Sequence, residues 1–535
     1  MPRLTGGQTV VQTLAAAGVR AVFGVPGVHN LDIYDALPDT PQIAHYVVRH
    51  EQAATFMADG YARATGDVGV ALLITGPGLT NALTGIAEAY SDSSPMLVIT
   101  AQVETKLADK EKGSLHELRD QLGVSRPVTA YNRRINSVPE IAPAIREAFA
   151  YLKRSRPRPI HLEIPTDVME AAAEVDLGQP LAAAPPAPFA APIKRAADVL
   201  ARANRLIIVA GGGCVSSGAG EALAAVAEML QAPIVVTSNG KGGIPESHPL
   251  VLGNLSYDKV LMDLMGSADA VLGVGTRFSA MTTRGFTWPV PAALVHIDID
   301  PAELGRNYPV AVGVSGDARL SLESLRDALR PLVAADRQSR APEVAEVKQH
   351  VRQQAIAQGS WEIGILDDIR RVLAPDDVLV NDMTMLSYAA ARYYPAERPH
   401  TFMSPRGYGT LGFSYPAALG AQVGRPDRRV LSIAGDGGFL FTGVELCTAA
   451  QYNLPVVALI VNNHGYGVVK RNQLRRFGRP VDVDLHTPDY MQFAAAFGVA
   501  AERVGGPGEI RGALERAFAA RKPYLLELAE PQDKV

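Results

Sequence analysis

The residues best suited to chemistry in this 535-residue chain sit at the ends of apolar runs. Asp436 lies in Gly435-Asp436-Gly437-Gly438, directly after the run Val430 to Ala434, and Asn463 follows a second run, Val456 to Val461. They are 27 positions apart, with one helical pattern from about Phe441 to Gln451 between them. Neighbouring parallel strands joined by such a helix bring both side-chain oxygens to the same sheet edge. Mg²⁺ takes hard oxygen ligands in octahedral geometry and completes its shell with carbonyls, water and phosphate oxygens. The glycines let the backbone approach closely, and a helix N-terminus points its N–H groups at a diphosphate. Read singly, Asp436 is a helix cap and Asn463 a loop residue. Together they suit a metal-bound diphosphate.

The elements that must position these residues follow one rhythm throughout: a short β-branched run, a Gly-containing turn, then an amphipathic helix. Val68 to Ile74, Arg205 to Ala210 and Val430 to Ala434 are examples. Continuous apolar strands alternating with helices imply α/β architecture with parallel sheets covered on both faces. Two breaks divide the chain: the Ala/Pro-rich run Leu181 to Pro192, and a softer, charged stretch from Pro331 to Glu346. The expectation is three doubly wound domains, spanning residues 1–175, 190–335 and 355–535.

Three further segments carry candidate groups. Glu51 opens an Ala-rich helix in Arg49-His50-Glu51-Gln52-Ala53-Ala54, followed by Ala58-Asp59-Gly60-Tyr61-Ala62-Arg63-Ala64-Thr65-Gly66. Alone, it reads as a dipole partner at a helix N-terminus. Thr75-Gly76-Pro77-Gly78-Leu79-Thr80-Asn81 and Arg406-Gly407-Tyr408-Gly409-Thr410-Leu411-Gly412-Phe413 are Gly-rich loops.

Taken together, the GDG and NN elements at this spacing match the thiamine diphosphate-binding motif, and the chain resembles the acetolactate synthase branch of thiamine diphosphate enzymes over nearly its whole length. The resemblance implies pyrimidine-binding, central Rossmann-like and diphosphate-binding domains, in that order. It implies that Asp436 and Asn463 ligate Mg²⁺ through side chains and Gly465 through its carbonyl, with Gly435, Gly437, Gly438 and Tyr466 lining the diphosphate site. Glu51 matches the glutamate that hydrogen-bonds N1′ of the aminopyrimidine, which favours the imino tautomer that deprotonates thiazolium C2. Gly409 corresponds to the carbonyl that accepts N4′–H, and Leu411 to the aliphatic wedge between the two rings. Thr75, Gly76 and Asn81 belong to a loop lining the same cleft. In the family the first domain of one subunit faces the third domain of another, so a homodimer or homotetramer with interfacial active sites is expected. The substrates implied are 2-oxo acids and other small carbonyl compounds, with acetolactate from two pyruvates as the leading product.

The chain departs from that branch where the second substrate is chosen. Met281 and Asn472 replace an Arg and a Trp, and Leu115-His116 replaces a Phe-Gln pair. His116 becomes a candidate proton shuttle, because an imidazole titrates near neutrality. A simple decarboxylase or lyase is the alternative, although Val28 and Val469 stand where the pyruvate decarboxylase type has acids and its His-His pair is missing from the sequence. Val295 to Asn307 fits the central domain, but Gly253-Asn254-Leu255-Ser256 and Arg277-Phe278-Ser279-Ala280-Met281 depart from the flavin contacts, which leaves FAD possible but not favoured. Gly211-x-Gly213-x-x-Ser216 lacks the third glycine of a dinucleotide fingerprint, so an NAD(P) oxidoreductase is a weak rival.

Bulk properties exclude other classes. A net charge of −4 offers no basic field for nucleic acid. Cys214 and Cys447 form no metal or disulfide pattern. No run of about 18 apolar residues and no signal-like leader occurs, so a cytoplasmic protein without membrane association is expected.

Overall fold

The computed structural model describes residues 1–181, 183–256, 258–334 and 336–530. Ala182 and Ala335, which fall in the two expected breaks, lie outside the described residues, as does the end of the third block beyond 530.

Three parallel sheets follow one another along the chain. The first runs Ala44–Val47, Ala21–Gly24, Gly69–Leu73, Met96–Gln102, Ile160–Pro165, Tyr131–Arg134. The central sheet runs Val251–Gly253, Ile234–Val236, Leu206–Ala210, Ala270–Val274, Leu294–Asp298, Val312–Ser315. The third contains Val378–Asn381, Val430–Gly435, Val456–Asn462, Tyr524–Ala529 and Ala500–Val504, in that order. Gly69–Leu73, Met96–Gln102 and Val456–Asn462 are buried at every position, as strands covered on both faces must be. The fold is therefore three α/β domains, each a parallel sheet flanked by helices.

Packing groups the chain into two compact units. One holds the first and third sheets, from Met1–Ala184, Val378–Met385 and Pro405 onward. Within it the Ala-rich helix Glu51–Thr65 crosses Ser414–Gly424 backbone to backbone. A Cβ on Gly60 would lie 1.9 Å from the Ala417 carbonyl oxygen, and one on Gly420 would lie 1.9 Å from that of Met57. Any larger residue at either glycine forces the helices apart.

The other unit comprises Pro185–Asp377 and Leu386–Ser404. It runs through the stretch Pro331 to Glu346 and beyond. Helix Ala341–Ala357 buries Val344 and Val351 in the cluster containing Leu261, Val271 and Leu294. Arg340 Nη1 donates to the Leu206 carbonyl at 2.8 Å, and Lys348 Nζ to that of Glu246 at 2.9 Å. The charged surface of this helix hides Val344 and Val351, one heptad apart, and Ala355, enough to bind it to the central sheet.

Candidate active site

Strand Val430–Gly435 pairs in register with Val456–Asn462, Gly435 opposite Val461, so Asp436 and Asn463 leave the same edge of the third sheet. The single helix expected between them is broken: Asp436–Phe439 forms one short turn, Gly443–Glu445 another, and Leu446–Tyr452 the helix proper. Asp436 is buried, and its Oδ2 accepts the Gly465 N–H at 2.9 Å. Burial pushes its carboxyl above the ordinary range, while the Gly465 and Gly437 N–H groups pull it back.

Asn463 Nδ2 donates to Glu530 Oε2 at 2.6 Å, and Glu530 Oε1 accepts Arg471 Nη2 at 2.6 Å. An ionised carboxylate only accepts, so the Asn463 amide is fixed with its Oδ1 turned away from Glu530. That Oδ1 is buried without a hydrogen-bond partner. An acceptor left so costs about 1–3 kcal/mol, which a ligand would recover. Among the described residues no group of three or more His, Cys, Asp and Glu could hold a metal. A cation here would take a mixed shell of one carboxylate, one amide oxygen, backbone carbonyl and ligand oxygens, which fits Mg²⁺ bound through a diphosphate. The glycines are closely packed. A Cβ on Gly437 would lie 2.8 Å from the Tyr466 ring, and one on Gly438 would lie 3.1 Å from Asp382 Oδ1.

The first sheet carries the second group. Glu51 begins helix Glu51–Thr65 and its Oε2 accepts Asn81 Nδ2 at 2.9 Å. Asn81 lies on helix Pro77–Asp92, whose N-cap Gly76 has φ 61°. A Cβ at Gly76 would stand 2.3 Å from the His116 carbonyl oxygen, which brings His116 against the cleft loop. Gln121 Oε1 accepts Thr75 Oγ1 at 2.7 Å and the Gly76 N–H at 2.9 Å, fixing the loop from below. His29, from the turn after Ala21–Gly24, faces His116 edge-on with ring centroids 5.3 Å apart. His29 Nδ1 is buried without a partner, and burial followed by the neighbouring His116 ring holds its pKa below the ordinary value.

Glu51, Thr75, Gly76, Asn81 and His116 thus gather in the first domain, and Gly435 to Gly438, Asn463, Gly465 and Tyr466 in the third. The side-chain bonds of Glu51 and those of Asp436 and Asn463 each stay within their own domain. Gly409 (φ 82°) and Leu411 lie on the loop before Ser414–Gly424, with Met383 Cε 3.5 Å from a Cβ at Gly409. Sequence reasoning missed Asp382, Glu530 and Glu88. Asp382 follows the run Val378–Asn381 as Asp436 follows its own, a signal that could have found it. It accepts the Met383 and Ser414 N–H groups, and burial pushes its carboxyl up to about 6.

In the central domain, a Cβ on Gly211 would lie 2.1 Å from the Gly275 carbonyl oxygen and one on Gly213 would lie 2.6 Å from Gly275 Cα. These glycines serve close backbone packing. Among the described residues no helix is long and apolar enough to cross a membrane.

Sequence models described as the thiamine pyrophosphate enzyme N-terminal TPP binding domain, central domain and C-terminal TPP binding domain match residues 4–124, 193–325 and 382–528. A probable acetolactate synthase large subunit from Methanocaldococcus jannaschii is 37% identical, over 98% of this chain and 92% of its own. A probable 2-ketoarginine decarboxylase, AruI, from Pseudomonas aeruginosa is 38% identical over 98% and 94%. The Escherichia coli acetolactate synthase isozyme 3 large subunit is 34% identical over 97% and 93%.

Proposed function

The chain belongs to the thiamine pyrophosphate enzymes, as a catalyst that makes or breaks carbon–carbon bonds, and on that premise we propose that it decarboxylates a 2-oxo acid and releases an aldehyde. The observation that carries this reading is the facing pair His29 and His116 beside the Gly76 loop. Thiamine diphosphate supplies the electron sink when carbon dioxide departs. The carbon left behind then needs a proton: one 2-oxo carboxylate and one proton give one aldehyde and one carbon dioxide. Two facing imidazoles, one with its pKa held below the ordinary value by burial, form a pair able to deliver that proton and be recharged from solvent. The name of the AruI relative supports this outcome, as do Met281 and Asn472 at the acceptor-selecting positions.

In this reading Asp436, Asn463 and the Gly465 carbonyl hold Mg²⁺, Glu51 bonds N1′, Gly409 accepts N4′–H and Leu411 supports the bent cofactor. FAD is not favoured in the central domain. The side-chain bonds of Glu51 and of Asp436 and Asn463 stay within separate domains, which supports a homodimer or homotetramer in which partner chains complete each site. A second reading, in which another carbonyl captures the same carbon to give acetolactate or a relative of it, is supported by likeness to acetolactate synthases over 97–98% of the chain. Incubation with Mg²⁺, thiamine diphosphate and a panel of 2-oxo acids that includes pyruvate and 2-ketoarginine, with or without added aldehydes, separates them by mass spectrometry. Aldehyde alone supports the first reading and coupled products the second. Reduction of an added nicotinamide would contradict both.

A further inference from the structure

Helix Pro77–Asp92 does more than carry Asn81. Glu88 stands seven residues after Asn81, two helical turns on and within about 20° of the same face. Its side chain is fully buried. Glu88 Oε2 accepts the Thr410 N–H at 3.2 Å and Thr410 Oγ1 at 2.9 Å, and its Oε1 takes the Tyr408 N–H at 3.4 Å. One carboxyl therefore holds both neighbours of Gly409. One turn later the same helix supports Gly407, where a Cβ would stand 2.3 Å from Asp92 Oδ1.

A buried acid is costly unless paired, and Glu88 belongs to a closed network. Arg63 Nε and Nη2 clamp Asp59 at 2.7 and 2.8 Å, while Nη1 reaches Asp92 at 3.1 Å. The Arg63 guanidinium also covers the Phe413 ring, at 5.1 Å from its centroid, on the far side of the same loop. Glu88 shares a hydrogen bond with Asp92; burial and the Asp92 charge push it up to about 8, so it is largely protonated at neutral pH. As a neutral acid it donates to Asp92 and accepts from Thr410. A glutamine keeps an oxygen for Thr410 and a donor for Asp92, and only its NH₂ cannot accept the long Tyr408 N–H bond.

We propose that Glu88 is the positioning residue of the Gly409 loop, fixing the height and orientation of the Gly409 carbonyl from the helix that also orients Glu51 through Asn81. This rests on the reading of Gly409 as a cofactor contact. The cofactor's two proton-handling contacts, Glu51 and Gly409, then hang on a single rigid element, and a shift of that helix disturbs both.

The test compares Glu88→Gln and Glu88→Ala in the full chain. Amide hydrogen exchange is followed over residues 405–413, with thiamine diphosphate affinity measured by titration calorimetry in Mg²⁺. Glu88→Ala should speed exchange of that segment and weaken cofactor binding by about tenfold or more, the effect of losing hydrogen bonds to a buried group. Glu88→Gln should stay within about threefold of the parent in both, since the Thr410 and Asp92 bonds are retained and only the 3.4 Å Tyr408 bond is lost. Unchanged exchange and affinity in Glu88→Ala would overturn the proposal, as would equal losses in Ala and Gln. If Glu88→Ala does not fold, Thr410→Val, which deletes only the 2.9 Å hydroxyl bond, should still speed local exchange; no change there overturns the proposal. Failure of the parent protein to bind thiamine diphosphate would defeat the functional reading instead, while the exchange comparison still judges Glu88.

Discussion

Replacing Asp436 with Asn separates a metal ligand from a loop-capping residue. The substitution keeps size and one oxygen, so the Gly465 N–H retains its acceptor at 2.9 Å. Two effects then oppose each other in the protein without cofactor. The amide NH₂ meets backbone N–H groups that the carboxylate accepted, at a cost of about 1 kcal/mol. Against this, the carboxylate charge whose burial raises the Asp436 pKa is gone, which offsets part of that cost. Stability without cofactor should stay within about 1 kcal/mol of the parent. Cofactor binding loses a charged ligand from a buried dication site, about 3–5 kcal/mol, or roughly 10²- to 10⁴-fold in apparent Kd. Titration calorimetry with thiamine diphosphate at fixed Mg²⁺, beside thermal melts of the stripped proteins, measures both quantities. A variant that melts far below the parent yet binds cofactor with near-parental affinity would refute the reasoning and make Asp436 a structural cap.

Glu51→Gln should lower turnover by about 10²- to 10⁴-fold while cofactor affinity changes little, because only proton transfer through N1′ is lost; near-normal turnover removes Glu51 from the mechanism. His116→Ala should slow aldehyde release by about 100-fold with unchanged thiamine diphosphate affinity, and parental rates would dismiss the imidazole pair as proton source. Glu88 sits at about 8 when folded against an ordinary 4.5, so the native state holds a proton that the unfolded chain has released between those values. Stability should fall with rising pH across that window, by up to about 1.4 kcal/mol per pH unit, and level off above it. Melting midpoints of Glu88→Gln should lack that slope, and parallel profiles for the two proteins would contradict the assignment.

Much of the architecture was legible because buried parallel strands leave continuous apolar runs, and Val430–Gly435 and Val456–Asn462 announce both themselves and the chemistry at their ends. The strand-end rule places Asp436 and Asn463 together without reference to anything remote. It applies equally to Asp382, whose flanking run was present but unaccompanied by glycines. Glu88 was not legible. On an Ala-rich helix a glutamate reads as a solvent-facing residue, and its backbone partners at Tyr408 and Thr410 lie more than 300 positions away. The packing of Ala341–Ala357 was hidden similarly, because two valines on an otherwise charged helix carry little periodic signal yet bind it to the central sheet. His29 and His116 come from separate turns, and their facing geometry exists only once the first sheet is assembled.

The most direct test of the proposed reaction uses 2-oxo acids labelled with ¹³C in the carboxyl group, with carbon dioxide and organic products counted in the same reaction. The account predicts labelled carbon dioxide only when thiamine diphosphate and Mg²⁺ are both present, with one free aldehyde formed for each carbon dioxide released. One ligated hydroxy-oxo acid per carbon dioxide with no aldehyde, or no cofactor-dependent release from any 2-oxo acid, would contradict it.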